Sequence, residues 1–354
     1  TANMNERSEF LKDLTPGTKY YWKAVPYTWP GDETFFGDES DVYHFYTQAN
    51  IQNIESNYAD KSIILTWEEP DNCKNIIIAV APKGDLSPAY TTSIDAGQES
   101  FTIKNLQNKK IYSITIYGEI AVADTIISTS KKTVDEMALD TTKYARDIDY
   151  NIYNLVKIGD QVWMKENLRV SRFNDGTSIT YYGHEISDRL FKPSDFLEGG
   201  SEIDSLYGYY YQRAIPIRDP YIAPKGFRLP TLDDFLKLFS FISGEDVTLT
   251  DQLSLESCNY GKILKASTGW NDFDGNSGNG DDTYGFAAYP SGSLSIKDAG
   301  YTDIELSNVG NGSSIFVKSD ERYIKEILFV NYAEGVRFQV NWDTCSIRCI
   351  KITE

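Results

Sequence analysis

The chain has 354 residues, 41% hydrophobic and 24% charged, with a formal net charge of −18. At roughly 100–200 residues per domain this predicts two or three domains, and the apolar share supports a core without metal or disulfide staples. The acid excess argues against nucleic acid and anionic membranes as partners, because phosphate binding needs clustered Lys and Arg to release counterions. No apolar run reaches the roughly 20 residues that span a bilayer. Tyr outnumbers Phe by 25 to 17, which predicts many half-exposed rings suited to sheet faces and to sugar or protein contacts. The four cysteines, Cys73, Cys258, Cys345 and Cys349, form no CxxC, and His44 and His184 are the two histidines. That composition argues against zinc and against a Ser-His-Asp triad. The first residue is Thr and not Met, which predicts a natural N-terminus upstream.

The first third carries a repeat. Residues 10–25 read FLKDLTPGTKYYWKAV, and residues 100–115 read SFTIKNLQNKKIYSIT. With Leu14 set on Leu106, Tyr20 falls on Tyr112, an offset of 92 residues. A strand, a turn, and a Tyr six residues after Leu resemble the tyrosine corner of fibronectin type III domains, in which the hydroxyl reaches back to the backbone. The second copy reads as a full sandwich over 49–134. Its strands are expected at 62–67 with core Trp67, then 75–80, 101–106, 111–118 and 125–134. The first copy, 1–48, holds the closing strands alone, at 10–14, 20–26 and 42–47. Such sandwiches are expected to act as a stalk.

Residues 135–150 are polar and acidic and read as a linker. Strand alternation then runs through 151–168, broken by the Gly159-Asp160 turn, and Asn174-Asp175-Gly176 is a second turn. One helix is well specified. Thr231 is an N-cap, Asp233 and Asp234 complement the first turn, Leu232, Phe235, Leu236 and Phe239 follow helical spacing, and Gly244 is the stop.

The order of further motifs carries a second resemblance. IYNLVKIGDQVWMKENLRV, then FNDGT, are followed by Tyr207-Gly208-Tyr209-Tyr210-Tyr211 and Pro224-Lys225-Gly226-Phe227-Arg228-Leu229-Pro230-Thr231. Next come Gly261-Lys262-Ile263-Leu264-Lys265 with Trp270-Asn271-Asp272, then Tyr284-Gly285-Phe286-Ala287-Ala288-Tyr289-Pro290-Ser291-Gly292, then Ser346-Ile347-Arg348-Cys349-Ile350-Lys351. Over about 200 residues this resembles the Fibrobacter succinogenes major paralogous domain (FISUMP) family. The resemblance implies a C-type-lectin-like α+β fold over 151–354, related to formylglycine-generating enzymes. It also implies a bacterial, envelope-associated protein, often a lipoprotein, whose anchor would lie upstream. Ala223 stands where the family often has Cys, so Cys349 is left free or pairs with Cys258 or Cys345. Residues 313–317 lack the two Trp of the family's segment there.

Two candidate sites follow. The loop 272–282 is rich in oxygen ligands, and Asp272, Asp274, Asn276, Asp281 and Asp282 are the residues that would hold calcium. Trp270, Tyr207, Tyr209 and Tyr211 are the rings that would meet a ligand. Cys345 and Cys349 invite comparison with the oxidising cysteines of the formylglycine enzymes. Along one extended strand they would lie about 13 Å apart at ~3.3 Å per residue, too far to cooperate. The expectation is a multidomain protein, all-β fibronectin type III-like sandwiches followed by an α+β C-type-lectin-like domain. It is read as a non-catalytic, extracellular or outer-membrane-associated adhesion or glycan-capture protein, with a glycan or a surface protein as ligand. The alternatives are an envelope assembly subunit that binds another protein, and an oxidase of the formylglycine type.

Overall fold

The computed structural model describes residues 11–28, 35–179, 189–212, 214–217, 221–248, 254–255, 258–298, 303–318, 325–340 and 344–352. The chain is mostly β and divides into two compact units, Thr1–Thr141 and Thr142–Glu354. His184 and Phe10 lie outside the described residues.

The first unit opens with β1 (Lys19–Trp22), β2 (Tyr27–Thr28), β3 (Phe35–Phe36) and β4 (Tyr43–Tyr46). β1 pairs antiparallel with β4, and β2 with β3. Residues 11–14, expected as part of a strand, are not one. Asp13 adopts φ 56°, which breaks the extended run. The rest of the unit is a two-sheet sandwich built from β5 (Gln52–Ala59), β6 (Ser62–Glu68), β7 (Cys73–Pro82), β8 (Tyr90–Asp95), β9 (Ser100–Ile103), β10 (Ile111–Val122), β11 (Thr125–Ser128) and β12 (Lys132–Met137). One sheet runs β5-β6-β9, and the other β11-β10-β7-β8 with β12 also on β10. Residues 125–134, expected as one strand, are two. β11 and β12 lie end to end along β10, parted where Thr129 turns its hydroxyl to accept from the Gly118 N–H at 2.8 Å.

Strict inside–outside alternation along β10 puts Tyr112, Ile114 and Ile116 into the core, against Ile63, Leu65 and Trp67 of β6 and Ile76, Ile78 and Val80 of β7. The repeat is visible in geometry. The Tyr20 hydroxyl accepts from the Thr15 N–H at 2.8 Å, and the Tyr112 hydroxyl from the Gln107 N–H at 2.9 Å. Both bonds reach back five residues, at positions offset by the same 92 residues.

Residues 135–150 are structured rather than a linker. Asp135, Glu136 and Met137 complete β12, and Tyr144–Arg146 form β13. Asp147 is buried and accepts from the N–H groups of Asp149 and Asn151, the Asn151 amide and the Tyr153 hydroxyl at 2.6–3.0 Å. An acidic side chain that turns inward to four donors reads as solvated in composition alone.

The second unit continues with β14 (Ile152–Ile158), β15 (Gln161–Met164), β16 (Leu190–Phe191), α1 (Gly200–Tyr207), β17 (Tyr210–Gln212), α2 (Ala214–Ile217), β18 (Phe227–Arg228), α3 (Leu232–Ser243), β19 (Ser254–Leu255) and α4 (Tyr260–Leu264). It ends with β20 (Ser293–Ile296), β21 (Ile304–Ser307), β22 (Gly312–Val317), β23 (Lys325–Val330), β24 (Val336–Val340), β25 (Thr344–Cys345) and β26 (Ile350–Lys351). Its sheets run β13-β14-β15-β26-β18, β16-β17-β25, β19-β24-β23-β22 and β20-β21. The closing strand β26 is thereby seated between β15 and β18 near the front of the unit.

Helix α3 starts and stops as its sequence predicts. Asp234 donates its N–H to the Thr231 hydroxyl and returns a carboxylate to the Thr231 N–H, and Gly244 closes it at φ 74°. Its face of Phe235, Leu238 and Phe239 packs with Trp163 of β15, Tyr260 of α4 and Phe338 of β24 in one core. Arg348 is fully buried beside this core. Its guanidinium donates to Asn167 Oδ1 at 3.0 Å and to the carbonyls of Phe286 and Ala287, and lies over the Phe286 ring at 4.6 Å.

The corner bond of the complete sandwich is testable. Tyr112→Phe deletes one part-buried hydrogen bond and should lower the stability of that sandwich by about 1 kcal/mol in urea unfolding. Tyr20→Phe, at a more exposed corner, should cost less. No effect at either position would mean that the hydroxyl bonds do not hold the corners.

Candidate functional site

The rings expected to meet a ligand are largely enclosed. Tyr211 is fully buried, and its hydroxyl donates to the Val170 carbonyl at 2.9 Å. Tyr207 closes α1 and is buried, and Tyr209 packs half-buried against the core, where loss of solvent pushes its hydroxyl up to about 12. β17 lies between β16 and β25, and both of its faces are packed, Tyr211 in the core with Leu168 and Cys349 and Tyr210 in a second with Phe191 and Leu294. Trp270 is buried too, with its indole N–H on the Ala288 carbonyl at 3.0 Å.

The expected calcium loop is folded as a tight turn. Phe273 and Asn276 exchange both backbone hydrogen bonds, at 2.9 and 3.0 Å, around Asp274 at φ 49° and Gly275 at φ 79°. Two positive φ values in a two-residue connection make a type I′ hairpin, for which Asp-Gly is the favoured pair. The Asn276 amide donates to the Asp274 carbonyl, and one carboxylate oxygen of Asp282 accepts from the Ala287 N–H at 2.7 Å. Asp272 and Asp281 are exposed. Among the described residues no three His, Cys, Asp or Glu side chains are grouped to hold a metal ion. The oxygen-rich composition reflects turn chemistry, and the five residues do not converge as a calcium shell.

That turn instead presents a ring. Phe273 at its corner is 51% exposed and leans on Tyr332, itself 53% exposed, with ring centroids 5.6 Å apart and a 53° tilt. Tyr332 sits on the connection 331–335 between β23 and β24. α4 grips this connection from below. The Lys262 N–H donates to the Glu334 carbonyl at 2.7 Å, and Lys262 Nζ meets Glu334 Oε1 at 3.1 Å. Gly261 lets the backbones close up, since a Cβ there would fall 2.3 Å from the Gly335 carbonyl oxygen. The Lys265 ammonium is buried, lies 4.9 Å from the Trp270 ring centroid and donates to the Val330 carbonyl at 3.0 Å. Within the run GKILK, Gly261, Lys262 and Lys265 fix the turn that carries Tyr332, while Leu264 enters the core.

Beside the ring pair lies a cleft of about 240 Å³, lined among others by Ser293, Asn308, Asn311, Asn331 and Tyr332. None of its ten lining residues is charged, in a chain with 24% charged residues. Asn311 Oδ1 accepts from the amides of Asn271 at 3.0 Å and Asn331 at 3.1 Å. Asn308, at φ 59°, and Asn311 are both exposed where they line the cleft. The arrangement supplies neutral donors and acceptors next to an apolar ring surface. It holds no nucleophile and base in contact. Cys345 is buried, with its thiol on the Tyr211 carbonyl at 3.7 Å, and burial pushes that thiol far up; none of the four cysteines is in a disulfide. Sequence reasoning passed over Phe273, Asn308, Asn311, Asn331 and Tyr332. The one local signal was Phe273, an apolar residue at the tip of a loop that is otherwise Asn, Asp, Gly and Ser.

The buried ammonium under the turn has a pH signature. Burial pushes the Lys265 amine down to about 8, so folding opposes its charged form. The resulting cost is fully present below pH 8 and is relieved as pH rises toward the ordinary 10.5. Against Lys265→Met, the wild-type chain should therefore gain melting temperature between pH 8 and 10.5. A difference between the two that is flat over this window would show that the amine is not buried as charged.

A family model described as the Fibrobacter succinogenes major domain matches residues 156–351. A search of curated proteins found no match. Among solved structures, a β-sandwich protein redesigned by computer is 19% identical, with a TM-score of 0.24 over 27% of this chain and 93% of its own. The FN1–FN3 domains of chicken CNTN1 are 14% identical, with a TM-score of 0.23 over 36% of this chain and 44% of theirs. Neither likeness carries an argument about function. The family match runs from the first hairpin of the second unit to its closing strand and takes in more than half of the chain, which thus belongs to the Fibrobacter succinogenes major domain family.

Proposed function

We propose that this is a non-catalytic bacterial cell-surface protein that captures glycans through its second unit. The observation that carries the reading is the exposed Phe273–Tyr332 pair beside an uncharged, amide-lined cleft. Sugar rings have apolar faces and hydroxyl edges. An aromatic surface answers the first, and amide donors and acceptors answer the second. The second unit is read as a C-type-lectin-like head, and the sandwiches as fibronectin type III-like spacers that hold it away from a lipid-anchored end. Family membership supports the envelope location, and the clamped turn supports a preformed site. The burial of Cys345 and the rise in its pKa favour binding over oxidase chemistry, which needs an accessible, low-pKa thiolate.

The test is a glycan array probed with the whole chain, in calcium and in EDTA. Hits are expected in both buffers, since the cleft uses amides and rings rather than a cation. Tyr332→Ala should weaken the hits about 3–10-fold, the ~0.5–1.5 kcal/mol that a ring contact contributes, and adding Phe273→Ala should weaken them further. A blank array, or hits indifferent to both substitutions, would overturn the site.

A further inference from the structure

Tyr332 lines a second cavity as well as the first. The connection 331–335 crests between them. Asn331 and Tyr332 face the amide cleft, and Tyr332, Ala333 and Glu334 face a wider basin of about 560 Å³, floored by Ser243, Asn259 and Tyr260. We infer that the site takes a neutral oligosaccharide of at least two sugar units laid across Tyr332. This rests on the glycan reading and adds length and charge class to it.

Size argues for more than one unit. At about 240 Å³ the amide cleft is smaller than the roughly 300–1,000 Å³ of pockets that enclose drug-sized ligands, and suits a single ring. The basin beyond Tyr332 is more than twice as large and opens on the same ring. A ligand that fills one cleft and continues must cross the exposed face of Tyr332. The backbone that carries this ring is held from beneath by Lys265 and by α4.

Charge argues for neutrality. The amide cleft has no charged lining, and Glu334 is the one charged residue of the basin. Its carboxylate is paired with Lys262 at 3.1 Å, so the two charges at the rim of the basin offset each other. Lys262 is engaged by that pair, and Lys265 is buried below the turn. Among the described residues no Lys or Arg lines either cavity, and the net charge of −18 repels anionic polymers at long range.

The experiment is affinity electrophoresis of the whole chain. The gels contain neutral polysaccharides (xylan, glucomannan, laminarin, galactan) or anionic ones (polygalacturonate, alginate, polysialate). Fragments of the best retarding polymer then serve as competitors. At least one neutral polymer should retard the chain and no anionic one should, and a tetrasaccharide should compete at least tenfold better than the monosaccharide. Asn308→Ala, in the amide cleft, should weaken the mono- and tetrasaccharide alike. Asn259→Ala, in the basin, should weaken the tetrasaccharide alone, and both side chains are free of hydrogen bonds that the fold needs. A monosaccharide as effective as the tetrasaccharide would overturn the two-unit site but leave the glycan reading standing. Retardation by the anionic polymers would overturn the charge class. Retardation by no carbohydrate at all would remove this inference together with the function it rests on.

Discussion

The second unit is organised around a guanidinium with no carboxylate bonded to it. Arg348 comes from the closing stretch of the chain and bonds Asn167, 181 residues earlier, and the Phe286 and Ala287 carbonyls, 62 and 61 residues earlier. Three segments remote in sequence thus share one buried cation. Its charge is dispersed over backbone dipoles and the Phe286 ring rather than neutralised by an ion pair. Burial still opposes the charge and pushes its pKa down to about 10. Taking away the cation would leave several buried acceptors without donors, a heavier loss than any one bond contributes. The packing of α3 and α4 against β15 and β22–β24 takes place around this fixed point.

Lys265 repeats the same device on a smaller scale. It too is a buried cation without a bonded carboxylate, it too caps backbone carbonyls, and it too lies over an aromatic ring. The difference lies in what is held. Arg348 ties the unit together, whereas Lys265 ties down the turn that exposes Tyr332. A binding surface on a loop is usually mobile. Here the loop is fixed from beneath, and on the glycan-capture reading proposed above a ligand would meet a loop already ordered and lose less entropy on binding.

How much of this was legible in the sequence depends on distance along the chain. The tyrosine corners were readable because each bond spans five residues, and so were the Thr231 cap and the Gly244 stop of α3, for the same reason. The Asp-Gly pair at 274–275 was visible but ambiguous. Its oxygen atoms suggested ligands, while its backbone chemistry specifies a hairpin. The tyrosines at 207–211 were misread because alternation predicts one open face, and β17 has strands on both edges and a core on both faces. The cleft was not readable. Asn308, Asn311, Asn331 and Tyr332 look like ordinary turn residues until the β22–β23 and β23–β24 pairings place their turns side by side.

The position of β26 has a consequence for how the unit comes to exist. β26 joins β15 to β18 in its sheet, and Ile350 can pair with Trp163 only after the long stretch between them has been made. Contacts of such long sequence separation form slowly and late. A chain emerging residue by residue, from a ribosome or through a pore, therefore lacks the strand that joins β15 to β18 until Ile350 and Lys351 have been made. Until then β15 and β18 present open edges, the state in which a β-rich chain is most prone to pair with a neighbour. A chain stopped before Ile350 would leave β15 and β18 unjoined in this sheet.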